Sequence, residues 1–218
     1  MARLEAIVFD LDGTLIHSAP DIQFATNAAL AKIGRGPLDL AKVISFIGNG
    51  VETLVTHALE ATGGTTPALE RDTLAVLLAV YNDNITTLTR PYDGVVTALE
   101  QFRAKGLKLG ICTNKLTTPA QLVCDQLDLS QYFDAIVGAK PDRAKKPQPQ
   151  MLHRCLEMLG CAANNALYVG DSAIDFHTAR NAMVPFRLFA GGYLNDPLPD
   201  LHPTERFDHW DTHGIIVT

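Results

Sequence analysis

Hydrophobic and polar positions divide the chain into stretches of different texture. Residues 4–9 form a short apolar run with the length of a buried strand. That run passes directly into Asp10-Leu11-Asp12-Gly13-Thr14-Leu15, so two carboxylates follow a strand end around a glycine turn. From 18 to 89 the repeat is helical, with no strand pattern. Ser18 with Asp21 reads as a capping box, after which Ile22, Ala25, Ala29 and Ile33 share one face until Gly34 and Gly36-Pro37 stop the helix. A second element begins near Leu38. Val51, Leu54, Val55, Ala58 and Leu59 make the stripe of a further helix ended by Gly63-Gly64. From Pro67 onward, Leu74, Leu77, Leu78, Tyr81, Ile85 and Leu88 predict one long amphipathic helix whose stripe is core packing.

At Arg90-Pro91-Tyr92-Asp93-Gly94 the texture changes. Strands are predicted at 107–112, 135–137, 166–169 and 185–189, with helices near 94–105, 117–127, 149–159 and 172–182. Such alternation means parallel strands joined by crossover helices, and the first strand joins the same sheet. The expected fold is therefore α/β, a doubly wound parallel sheet core from 1–16 and 90–218 with an all-helical cap inserted at 17–89. The stretch from 195 to 218, rich in Pro, Asp and His, carries no clear pattern.

Composition narrows the functional classes. The 218 residues are 47% hydrophobic and 19% charged, enough for a full core and a second small domain. Eighteen Lys and Arg against 24 Asp and Glu give a net charge of −6 with no basic run, which argues against nucleic-acid or anionic-membrane surfaces. No run reaches the ~18 apolar residues of a spanning helix, and acids interrupt the only early apolar run. Four cysteines without metal-type spacing read as reduced thiols of a cytoplasmic protein, expected as a monomer or a homodimer.

Several predicted strands end in residues suited to phosphate chemistry. The first delivers Asp10 and Asp12, the second Thr113 and Asn114, the fourth Asp171 with Asp175 one helical turn on, and a loop supplies Lys146. Parallel strands place these ends on one rim, where open α/β sheets bind ligands. Asp10, Asp171 and Asp175 crowded together require a cation, and an all-oxygen donor set suits Mg²⁺. A phosphate held there would meet Lys146, the Thr113 hydroxyl and Asn114. Asp10 can then attack phosphorus to form an aspartyl phosphate, and Asp12 can give a proton to the leaving alcohol and take one from water.

These motifs, in this order, resemble the haloacid dehalogenase superfamily, specifically its phosphatases with a helical cap inserted after the first motif. Within it, Arg90-Pro91-Tyr92-Asp93-Gly94-Val95, Gly48-Asn49-Gly50, Thr113-Asn114-Lys115 and Gly191-Gly192-Tyr193-Leu194-Asn195 are similar to the phosphoglycolate phosphatase group. The resemblance implies a Mg²⁺-dependent phosphomonoesterase acting on a small phosphorylated metabolite, with 2-phosphoglycolate as first substrate. It also implies that Asp10 is nucleophile and ligand, that Asp12 is acid/base and ligates through its carbonyl, that Asp171 is a ligand, and that Asp175 supports the metal site. His17, His57, Gly138-Ala139-Lys140-Pro141-Asp142 and Met183-Val184-Pro185 depart from the usual pattern. They leave another sugar-phosphate phosphatase, or a β-phosphoglucomutase-like mutase, as alternatives.

Other readings compete residue by residue. Thr113 can cap its helix, Lys146 and Asp175 can be solvated charges, and His17 and His57 read as polar positions without chemistry. Gly48-Asn49-Gly50 follows no strand and reads as a helix-start turn. An EF-hand loop is excluded because Gly13 directly follows Asp12 and no closing Glu follows. From another functional class, a phospho-accepting receiver module also combines Asp, Thr and Lys, but has no use for Asp12 or a cap.

Overall fold

The computed structural model describes residues 3–210 and Ile215. Its core is a six-stranded parallel sheet in the order β5-β4-β1-β6-β7-β8, formed by Ala6–Phe9 (β1), Lys108–Leu116 (β4), Ala135–Ala139 (β5), Ala166–Gly170 (β6), Phe186–Phe189 (β7) and Arg206–Phe207 (β8). The doubly wound α/β expectation is met. β1 lies between β4 and β6, and the chain winds outward from it in both directions, so the switch point falls where β1 runs into Asp10.

Why β1 is apolar throughout follows from its position. Ile7 and Phe9 pack on one face with Val95, Leu99 and Phe102 of α5 (Val95–Ala104) and with Ala120 and Val123 of α6 (Thr117–Gln126). Ala6 and Val8 pack on the other face with Leu152 and Cys155 of α7 (Gln150–Leu159) and Phe176 of α8 (Ala173–Ala182). A strand covered on both sides has no polar face to display.

Between β1 and α5 the chain leaves the core as α1 (Ala19–Lys32), α2 (Leu40–Ile44), α3 (Val51–Ala61) and α4 (Pro67–Asp83). Two short strands mark the exit and return: β2 (Ile16–His17) pairs antiparallel with β3 (Arg90–Pro91). Asp39 and Thr66 cap α2 and α4 through Lys42 N at 2.7 Å and Leu69 N at 3.2 Å.

The structure corrects several expectations. Ser18 makes no side-chain cap bond, and Asp21, buried inside α1, instead accepts from Leu88 N, Thr89 N and Thr89 Oγ1 at 2.7–3.0 Å. Its carboxylate ties the outgoing helix to the returning strand, because unpaired backbone donors there would be costly. The long helix stops at Asp83, leaving Ile85 buried beyond it and Leu88 exposed. His57, read as a polar position without chemistry, is half-buried with its ring 5.3 Å from that of Phe46. β4 runs four residues further than predicted, through Thr113 to Leu116. The tail contributes β8 and Trp210, which packs against Phe9, Phe189 and Phe207, while 211–214 and 216–218 lie outside the described residues.

Candidate active site

The sheet's carboxyl rim brings the predicted residues together, with the side chains of Asn114 and Asp175 held by their neighbours there. Asp10 directly follows β1, and its backbone N–H donates to Val169 O at 2.8 Å, fixing it beside the end of β6. Asp171 follows β6, accepting from Thr14 Oγ1 at 2.5 Å and from Tyr193 N at 2.7 Å. Gly13 lets the loop close this tightly: it has φ +87°, and a Cβ there would meet Asp171 Oδ2 at 2.3 Å. Carboxylate oxygens of Asp10, Asp171 and Asp175 all lie within 4.8 Å of one another, and all three side chains are buried.

Lys146 is the buried counter-charge. Its ammonium donates to Asp175 Oδ1 at 2.7 Å and Tyr168 Oη at 3.1 Å, and lies 2.8 Å from Asp10 Oδ1 without hydrogen-bond alignment. It is not a solvated lysine. Burial alone would lower its pKa, but Asp10 and Asp175 outweigh that effect and hold it above the ordinary range. Asp175 is likewise no surface charge, since it also completes a capping box with Ser172 at the start of α8.

Asp12 faces a different cation. Lys115 Nζ contacts both of its carboxylate oxygens at 2.9 and 3.1 Å and lies 4.7 Å from the ring centre of Tyr81 on α4. Thr113 accepts from Lys115 N at 3.1 Å, which leaves its hydroxyl hydrogen for a ligand. Asn114, expected to touch phosphate, has its side chain committed elsewhere. Nδ2 donates to Gly48 O at 2.9 Å and Lys146 O at 3.1 Å, and Oδ1 accepts from Lys146 N at 2.9 Å. It therefore positions the lysine loop against the turn before α3. Gly48-Asn49-Gly50 is that turn, the helix start its sequence predicts.

In the sequence Lys115 stands within the Thr113-Asn114-Lys115 motif with no role of its own, and Tyr81 falls on an apolar stripe. A strand continuing through 115 was the available signal, since period-two alternation puts Thr113 and Lys115 on one face. Thr14 and Tyr193 stand inside motifs without a role that the sequence assigns, and Tyr168 lies in an apolar strand.

The donor set fits a cation. Three buried carboxylates face one ammonium, and Asp10 Oδ1 has no hydrogen-bond donor. Burial, then the nearby Asp175 charge, push the Asp10 carboxyl from its ordinary 3.8 up to about 7. Burial, Asp175 and Asp10 likewise raise Asp171 well above the carboxylate range. Oxygen-only ligands select a hard divalent ion, which would relieve this repulsion. A raised carboxyl pKa means the folded state holds protons that the unfolded chain has released. Stability of the metal-free protein therefore falls as pH rises from about 4 to about 7. A divalent cation is expected to raise the melting temperature more at pH 8 than at pH 5, because binding must displace those protons. Thermal melts with and without cation at both pH values check this, and an equal increment would count against a carboxylate metal site.

A cavity of about 80 Å³ opens above Asp10, Asp12, Thr113 and Lys115, roofed by residues of α1, α3 and α4 and of the turn before α3. An acid pair at the switch point, a buried lysine and a helical roof define a hydrolase of one family. The chain belongs to the haloacid dehalogenase-like hydrolases, the family pattern matching residues 7–189. Among particular relatives, it is 39% identical over 209 residues to phosphoglycolate phosphatase of Cereibacter sphaeroides, covering 95% of each chain. It is 37% identical over 213 residues to phosphoglycolate phosphatase of Rhodobacter capsulatus, covering 97% of this chain and 96% of that one. A predicted phosphoglycolate phosphatase from Haemophilus somnus 129PT superposes with a TM-score of 0.90 at 27% identity, over 96% of both chains. The chain is thus an enzyme of the phosphatase kind within that family, and the receiver-module alternative is set aside. Among the described residues, no helix is long and apolar enough to cross a membrane.

Proposed function

We propose that the enzyme is a Mg²⁺-dependent phosphatase of 2-phosphoglycolate that acts through an aspartyl phosphate on Asp10. The observation that carries this reading is the buried group of Asp10, Asp171, Asp175 and Lys146 at the switch point. Relatives alike over nearly their whole length and called phosphoglycolate phosphatases supply the substrate.

In this reading Asp10 attacks phosphorus as a carboxylate and displaces the glycolate oxygen. Lys146 and the free Thr113 hydroxyl hydrogen hold non-bridging phosphoryl oxygens. Asp12 gives its proton to the departing alkoxide, then removes one from the water that cleaves the acyl phosphate, releasing inorganic phosphate and restoring Asp10. Asp10, Asp171 and the Asp12 carbonyl would hold the cation, with Asp175 steadying the group through Lys146 and Ser172. When bound, Mg²⁺ neutralises carboxylate and phosphoryl charge together. The helices between 17 and 89 serve as a cap hinged at β2 and β3, excluding bulk water from the rim.

Phosphate release from 2-phosphoglycolate, hexose phosphates and nucleotides in the presence of Mg²⁺ tests the proposal. The kcat/KM for 2-phosphoglycolate is expected to exceed that for hexose phosphates by ~100-fold, a difference that polar groups left unpaired in a pocket readily produce. No turnover of any phosphomonoester would refute the mechanism, and a preference for a hexose phosphate would refute the substrate.

A further inference from the structure

The cavity above Asp10 and Asp12 has a wall almost wholly of carbon on its helical side, where Ile22, Ile47, Val51, Leu54 and Leu77 face it. Two polar groups interrupt that wall. Lys115 comes from the sheet, and its ammonium carries three donors, of which Asp12 takes two. The third points to no hydrogen bond of acceptable geometry among the described residues, and the Tyr81 side chain lies against the ammonium. Tyr81 comes from α4, its ring centre 4.7 Å from the Lys115 ammonium. Its hydroxyl is buried and makes no hydrogen bond of acceptable geometry among the described residues, although the Lys115 charge is close enough to act on it.

A buried hydroxyl without a partner is costly, and native proteins keep few of them. Here it stands beside an unused ammonium donor, within the site that holds the reacting carboxylates. Two neighbouring donors, one from the sheet and one from the helices, match the two oxygens of a carboxylate. A polyhydroxylated leaving group would instead press its hydroxyls against Ile47, Leu54 and Leu77, where nothing can bond them.

We infer that Lys115 and Tyr81 bind the carboxylate of the leaving group and so determine specificity for phosphate esters of a short 2-hydroxy acid. The inference rests on the phosphoglycolate reading and assigns residues to it. Because one donor belongs to the sheet and the other to the inserted helices, the bound carboxylate bridges the two parts. Lys115 meanwhile stays against Asp12, so a single cation serves both the acid/base residue and the substrate.

The test compares 2-phosphoglycolate with ethyl phosphate, which has the same two carbons without the carboxylate. Lys115→Met also deprives Asp12 of its partner and will slow every substrate. The deciding quantity is therefore the ratio of kcat/KM for 2-phosphoglycolate to that for ethyl phosphate. That ratio is expected to fall at least ~30-fold in Lys115→Met and ~5-fold in Tyr81→Phe, as for sites built around a buried polar contact. The Tyr81→Phe loss should appear mainly in KM. Equal losses with both esters would show that Lys115 serves Asp12 alone, overturning the inference while the phosphoglycolate reading stands. A wild-type enzyme with no preference for 2-phosphoglycolate over ethyl phosphate would overturn both. If Lys115→Met does not fold, Tyr81→Phe decides, and an unchanged ratio overturns the inference.

Discussion

Asp10→Asn is expected to lower kcat on 2-phosphoglycolate by at least ~10⁴-fold, the scale seen when a nucleophile is removed from a site that otherwise persists. An amide cannot form the acyl phosphate, and nothing else at the rim is placed to replace it. Asp12 is drawn off by Lys115, and Asp171 has its carboxylate engaged by Thr14 and Tyr193. The substitution also predicts an unusual stability. In metal-free protein at pH 8, Asp10 is an ionised carboxylate in a buried site that pushes its pKa up to about 7. A neutral amide of the same shape removes that repulsion while Lys146 keeps Asp175. The variant should therefore melt at or above the wild-type temperature without cation, and gain less from added cation. Activity above ~1% in pure protein would remove Asp10 as nucleophile, since this exceeds what binding and positioning leave behind.

Asp12→Asn is expected to cost ~10²- to 10⁴-fold in kcat, the usual worth of a positioned general acid and base. Its signature should depend on the leaving group. Glycolate departs as an alkoxide and needs a proton, whereas acetate departing from acetyl phosphate does not. With acetyl phosphate the variant should release one equivalent of acetate per enzyme in a burst and then stall, because the water that must cleave the aspartyl phosphate has lost its base. Rapid-quench measurement of acetate against phosphate checks this, and equal slowing of both substrates with no burst would argue against the assignment. Asn retains an oxygen to accept from Lys115, so the cost in stability should stay at about 1–3 kcal/mol. A melt confirms that the fold persists.

How much was legible depends on where each residue's partners lie. The strands after 90 were readable because burial on both faces makes a strand apolar along its length, as in β1 and β6. The rim residues were readable because parallel strands bring their carboxyl ends to one edge. The hinge pair β2 and β3 was not, since two residues apiece give no period to detect. Asp21 was misread because its local neighbour Ser18 suggested a cap, while its actual partners are 67 and 68 residues away. Asn114 looked like a phosphate ligand from its place in a motif, yet its amide is filled by Gly48 and Lys146. Tyr81 falls on a hydrophobic stripe, and a stripe tells which side of a helix is covered without telling by what.

The sequence by itself determined the sheet, its inserted helices and the set of acids, hydroxyl and lysine delivered to one rim, because those follow from periodicity and from the order of motifs along the chain. Only the tertiary structure decided which lysine answers which aspartate. Lys146 balances Asp10 and Asp175, and Lys115, 103 residues from its partner, balances Asp12 against the Tyr81 ring. Pairing and desolvation are properties of packed neighbours, and in a dry site they govern which carboxylates carry charge.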